Sequence, residues 1–242
     1  TVSLFMPDQP SFNARVLTRP YTKFKYGDKL KIYGKLEKVK NFDPSFDYEA
    51  YLAKDEVYYQ FLNPRISIIS HDNGPWLQSK LFDLKSRFLE NLNVVIPEPE
   101  ASLMGGIILG ARSSIDENLT NDFKRAGLIH IVALSGYNVA IVADGLMKAV
   151  WFLPLMPKLI TGSVVIVLFA LMTGGGSTVV RASLMVLQAV LARATGRIYE
   201  VGLALMIAAA GMIIYDPKIF VFDISFQLSF LAVVGLLYVY PF

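Results

Sequence analysis

The chain has 242 residues, of which 54% are hydrophobic and only 18% charged, and its mean hydropathy is +0.45. That is too apolar for an average soluble domain, and a formal net charge of +3 is too mild to signal nucleic-acid binding by itself. With no cysteine there are no disulfides, zinc–thiolate sites or iron–sulfur clusters, and the compartment stays open.

Charges crowd the first half and long uncharged runs fill the second. The expected class is therefore α+β: a small OB-like β-barrel domain followed by a polytopic α-helical membrane domain. Residues 1–75 form the predicted soluble domain. KLKIYGKLEKV (29–39) alternates, with Leu30, Ile32, Gly34 and Leu36 on one face and Lys29, Lys31, Tyr33, Lys35 and Glu37 on the other. Period two with one wet face predicts an antiparallel strand. EVYYQFL (56–62) and RISIIS (65–70) also suit strands, with a turn expected at Asn63-Pro64. FDYEAYLAKD (46–55) reads as a short helix or turn, and several short strands with one inserted helix fit a small barrel.

Residues 76–126 are expected to hold amphipathic linker helices at the membrane surface. In 76–93, Leu77, Leu81, Leu84, Phe88 and Leu92 fall at helical spacing opposite Lys80, Asp83, Lys85, Arg87 and Glu90. Residues 127–242 carry about five apolar segments, near 130–150, 157–173, 178–195, 199–215 and 222–242. A bilayer core takes about 20 helical residues to cross. Lys148 and Lys158 flank the first connection, and Arg193 and Arg197 the third. The positive-inside rule makes that side cytoplasmic and the β domain external. The chain starts at Thr1 and stops inside an apolar run, so it reads as a fragment of a longer polypeptide.

Polar groups inside these segments are costly unless something satisfies them. His130, Ser135, Gly136 and Asn138 fall early in the first segment, Arg181 one turn into the third, and Gln227 and Ser229 in the last. TGGGSTVVR (173–181) places three glycines before a helix start that Ser177 or Thr178 can cap, with an arginine alongside, an arrangement suited to an anion. The bland readings are interhelical hydrogen bonds for the Ser, Asn and Gln groups and a snorkelling arginine. An intramembrane serine hydrolase is disfavoured: His130 and Ser135 lie five residues apart, about 140° around a helix, and the other histidine, His71, is in the soluble part. No metal-ligand set is evident.

Several of these stretches resemble the ComEC/Rec2 family of competence proteins. AGLIHIVALSGYNVAIVA (126–143) is similar to the family signature, and GGIILGARSSIDENLTNDFKRAG (105–127) to the segment before it. TGGGSTVVRASLMVLQAVLARATGR (173–197) looks like the family's arginine–alanine helix, and DPKIFVFDISFQLSFLAVVG (216–235) like its FQLSF helix. DPSFDYEAYLAKDEVY (43–58) resembles its OB-like Asn-Pro-Gly-Phe-Asp-Tyr stretch. The likeness covers residues about 30–242, in family order. Where the family usually reads Ser-Gly-Leu-His-Val, this chain reads Ser135-Gly136-Tyr137-Asn138-Val139. Asn138 neither takes nor gives a proton near neutral pH. The family's C-terminal metallo-β-lactamase-like domain and its His-x-His-x-Asp-His motif are missing from this stretch.

The resemblance implies a multi-pass protein of the cytoplasmic membrane that moves single-stranded DNA inward during natural transformation. It would work with a DNA receptor outside and a helicase-like motor inside, as a single copy or an oligomer, with no cofactor and no catalysis by this chain. His130, Ser135, Gly136, Asn138, Arg181, Gln227 and Ser229 would line the path. Lys29, Lys31 and Lys35, with Tyr33 among them for stacking, would guide the strand on the outer domain, unless that lysine row is ordinary solubilising charge. The alternative is a transporter or pore for another solute on the same architecture.

Overall fold

A computed structural model describes residues 2–4, 12–18, 24–41, 47–71, 73–111, 115–128 and 136–239. The chain divides into two compact units. The first is Thr1–Ser79 with Tyr215–Ile224, and the second is Lys80–Ile214 with Ser225–Phe242.

The first unit is built on strands β1 (Val2–Leu4), β2 (Phe12–Leu17), β3 (Lys29–Tyr33), β4 (Leu36–Lys38), β5 (Val57–Leu62) and β6 (Arg65–Ser70), with helix α1 (Tyr48–Ala53) before β5. A mixed four-stranded sheet runs in the order β1-β2-β5-β4, with β2 and β5 parallel, and β3 pairs antiparallel with β6 in a second sheet. The expected OB-like barrel is therefore not seen: among the described residues the strands form two sheets.

The expected single strand over 29–39 is likewise broken in two. Its partner is one continuous segment, however: Tyr33 lies opposite Arg65 in one sheet and Leu36 opposite Phe61 in the other. The antiparallel ladder is thus bent at Gly34 and Lys35, facing Asn63 and Pro64. A Cβ on Gly34 would sit 2.9 Å from the Pro64 Cβ, so only glycine lets the two backbones approach there. Asn63 takes φ 45°, in the left-handed region that asparagine tolerates, and its N–H donates to the Leu17 carbonyl at 2.9 Å. Asn63-Pro64 therefore bends a strand path, and β5 and β6 do not form a hairpin around it.

Val39, Leu52 and Val57 form a small core with Tyr48 and Tyr51 packed on it. Asp47 caps α1 by accepting from the Ala50 N–H at 3.0 Å. Asp28 is held in the tight turn just before β3: it accepts from the Lys25 N–H at 2.8 Å and pairs with His71 Nδ1 at 2.6 Å. The Lys25 backbone bond first, and His71 second, hold its carboxyl below the ordinary value of 3.8. A depressed carboxylate stabilises the fold above its unfolded pKa, and that contribution is lost as pH falls through the folded value. Asp28→Asn is thus expected to cost about 1 kcal/mol at neutral pH. The difference from wild type should vanish in acid, below the ordinary aspartate range, and urea unfolding at several pH values checks it.

The second unit is helical. It contains α2 (Trp76–Val95) from Lys80 on, α3 (Glu100–Leu109), α4 (Glu117–Arg125), α5 (Gly136–Ala149), α6 (Leu155–Met172), α7 (Ser177–Thr195), α8 (Val201–Tyr215) up to Ile214 and α10 (Ile224–Val234) from Ser225 on, the last running into a wider turn at Gly235–Val239. The short α9 (Lys218–Phe222) belongs to the first unit. The amphipathic face expected for α2 is only partly covered: Leu81 is buried, while Leu77, Leu84 and Phe88 stay exposed. Leu109, Val139, Phe169, Val179 and Ala182 make the core where α3, α5, α6 and α7 meet. Of the five expected spans, α6 and α7 are long and apolar enough to cross a bilayer, while α8 and the helix from Ile224 are shorter.

Candidate functional site

The site grows from the turn between α6 and α7. Gly174 and Gly175 take φ 90° and 64°, a reversal that side chains resist. Gly176 occupies the N-cap position of α7, its carbonyl accepting from the Val180 N–H at 3.0 Å. Ser177 and Thr178, expected as caps, are instead the first residues of the helix. One turn on, Arg181 points inward and is 8% exposed, so it does not snorkel.

Its guanidinium donates from Nε to Ser229 Oγ at 2.7 Å and from Nη1 to Met185 Sδ at 3.5 Å, and it stands 5.7 Å from the centre of the Phe230 ring. A hydroxyl, a thioether and a ring face are weak partners for a cation with five N–H donors. Among the described residues no carboxylate pairs with it. A buried, uncompensated cation costs several kcal/mol, and the cost is recovered when an anion arrives. The planar fork suits the oxygens of a phosphate or carboxylate.

Gly136 forms the near wall. A Cβ there would lie 3.0 Å from Arg181 Nη2 and 3.3 Å from the Ala182 Cβ. Any side chain at this position crowds the guanidinium. Of the predicted path residues, then, Gly136, Arg181 and Ser229 come together. Asn138 lies two residues past Gly136, about 200° round the helix. It is buried and donates from Nδ2 to the Ile107 carbonyl at 2.7 Å, satisfying a backbone group in the last turn of α3. Gln227, two residues before Ser229, is half-buried and lies on another face of α10. His130 and Ser135 lie outside the described residues.

Sequence reading missed Phe230 and Met185. Met185 follows Arg181 at the i+4 spacing that puts side chains on one face, and Phe226 packs on Phe230 with the same spacing, ring centres 4.3 Å apart and planes tilted by 38°. Those intervals were the available signal.

The lysine row is in the first unit. Lys29, Lys31 and Tyr33 are exposed on alternate positions of β3, and Lys31 Nζ stands 5.1 Å from the centre of the Tyr33 ring. Lys35 sits in the bend beyond the strand and pairs with Glu37 at 3.3 Å. Three of the four residues thus share one face, and the fourth leaves it. The same unit holds a cluster that spacing did not reveal. Lys54 Nζ pairs with Asp223 at 2.8 Å, both largely buried, and Lys218 Nζ donates to the Ala53 carbonyl at 3.2 Å.

Residues 107–242 match the family described as Competence protein, more than half of the sequence. The chain belongs to this family. It is also similar to ComE operon protein 3 of Bacillus subtilis (strain 168), 23% identical over 145 residues. That stretch is 58% of this chain and 18% of the relative, so the chain spans less than a fifth of that protein. No solved structure matches the chain. Gly136, Arg181 and Ser229 all fall within the Competence protein region, and the β3 lysines lie outside it.

Proposed function

We propose that this chain is part of a membrane channel that takes up single-stranded DNA across the cytoplasmic membrane in natural transformation. The observation that carries the reading is Arg181: a buried cation with spare donors and no carboxylate partner among the described residues, walled by a glycine and a serine. Such a group attracts a phosphate without surrounding it, as a conducting path for a polyanion requires. Ser229, Gly136 and Phe230 complete this contact, and Lys29, Lys31 and Tyr33 offer an earlier, external one. No bond-breaking step is assigned to the chain.

A bilayer setting has its own support. Only 22% of α6 and 28% of α7 is buried, whereas the core helix of a soluble protein is mostly covered. Lys148, Arg193 and Arg197 gather at one end of α5 and α7, which the positive-inside rule puts in the cytoplasm. The connection Tyr215–Ile224 belongs to the sheet unit, as it should if both are external. The half-covered face of α2 suits the membrane surface. A DNA receptor outside and a helicase-like motor inside complete the proposed machine.

The deciding test is uptake of labelled DNA by the source cells with and without the full-length gene. Loss of internal DNA with surface binding kept supports the reading. Unchanged uptake would leave the architecture and remove the cargo, pointing to another solute. At finer scale, Gly136→Ala is expected to lower uptake by roughly 3–10-fold, since an added methyl of this kind costs on the order of 1 kcal/mol at a packed site.

A further inference from the structure

A cavity of about 320 Å³ lies in the second unit, in the groove between α5 and α7. Gly136 lies against Ala182, so the two helices run side by side in the same direction, and the groove extends from Ala140 and Met185 to Met147 and Arg193. Ala140 to Met147 is a rise of seven steps along α5, about 10 Å. Ala143, Ile166, Met185 and Ala189 give apolar walls, and Asp144, Arg193 and Tyr199 supply the polar groups.

The charges at the polar end are not balanced. Asp144 is taken by Lys148 at 2.6 Å. Arg193 has no carboxylate partner among the described residues. Burial pushes the Tyr199 phenol up, so it stays a neutral donor. The groove is thus apolar along its length and cationic at one end, and that end is the one assigned to the cytoplasm.

We propose that this groove seats an anionic phospholipid of the inner leaflet, with an acyl chain along the apolar walls and the headgroup phosphate on Arg193 and Tyr199. The size is at the lower end of the range for ligand cavities, roughly 300–1,000 Å³, and basic pockets between helices on the cytoplasmic side are a recurrent seat for such headgroups. A DNA strand is the poorer occupant, because alanine, methionine and isoleucine offer its phosphates nothing. The inference rests on the membrane placement given above and not on the cargo.

Native mass spectrometry of the detergent-solubilised protein tests it, with phosphatidylglycerol and phosphatidylcholine as probes. The expected result is one retained phosphatidylglycerol per chain, with phosphatidylcholine held about tenfold more weakly, because its quaternary ammonium offsets the phosphate charge and is repelled by Arg193. Arg193→Gln, an exposed position, should remove that preference with the fold intact. Ala189→Phe, which fills the groove, should lower retention of both lipids. Equal retention of the two lipids, or an unchanged preference in Arg193→Gln, overturns the proposal. So does displacement of the lipid by oligothymidylate, which would give the groove to the strand. Lipid retention is read without transport, so its failure leaves the DNA reading standing, and failed uptake leaves the lipid seat standing.

Discussion

Replacing Arg181 by alanine should cut DNA uptake by roughly 10–100-fold, the worth of a hydrogen-bonded charge at about 1.5–3 kcal/mol, with the amount of protein in the membrane unchanged. Lysine at this position keeps the charge but loses the planar fork, so it should recover only part of the activity. Arg181→Met separates a functional role from a structural one. A buried cation without a counter-ion weighs against the fold, so an apolar side chain of similar length should leave thermal stability equal or higher. Ser229, once freed, can turn its hydroxyl to a carbonyl of its own helix. Uptake falling while stability holds is the expected pair of results. Stability falling with uptake would make Arg181 a packing residue, and unchanged uptake would remove it from the path.

Breaking the Lys54–Asp223 pair should have the largest effect on stability. The two groups meet at 2.8 Å with side-chain exposures of 12% and 4%. Removing one partner takes the ion pair from the other in a largely buried setting, at a cost of about 3–5 kcal/mol. Lys54→Met and Asp223→Asn should each loosen the Tyr215–Ile224 segment, read as faster proteolysis or hydrogen exchange there. Lys54→Met with Asp223→Leu should recover much of the loss, because no lone charge remains. Alkali tests the same pair. Burial alone would lower the Lys54 pKa, but the hydrogen bond and charge of Asp223 outweigh it and hold it above 10.5. The contribution is complete below that unfolded value and is lost as pH rises through the raised one. Between neutral pH and mild alkali the segment should stay equally protected.

The local features were legible in the sequence. Alternation located β3, helical spacing located α2, and the uncharged runs located the apolar helices, α7 among them, because each pattern follows from the geometry of one element. What escaped were relations between elements. The Gly34 bend needs its neighbour Pro64 to explain it, and the parallel pairing of β2 with β5 depends on strands 40 residues apart. The same limit applies to the site. Arginine, serine and glycine were singled out by type, since each is costly or unusual in an apolar run. That Ser229 answers Arg181 while Asn138 turns to α3 is decided by helix rotation and packing. Lys54 and Asp223 gave no signal at all, being ordinary charges until the chain brings them together.

Those two residues lie 169 positions apart. At ribosomal speeds of about 5–20 residues per second, Lys54 waits roughly 10–30 s for its counter-ion. The sheet unit thus emerges first and is finished late, by a ten-residue insert delivered between α8 and α10. In the proposed orientation that insert reaches the outer face only if the preceding helices have been threaded correctly. A chain with α8 misinserted would strand Asp223 on the cytoplasmic side and leave a lysine-bearing gap in the external unit, open to proteases. In that proposed orientation, completion of the sheet unit would report whether the helices before the insert had been placed correctly.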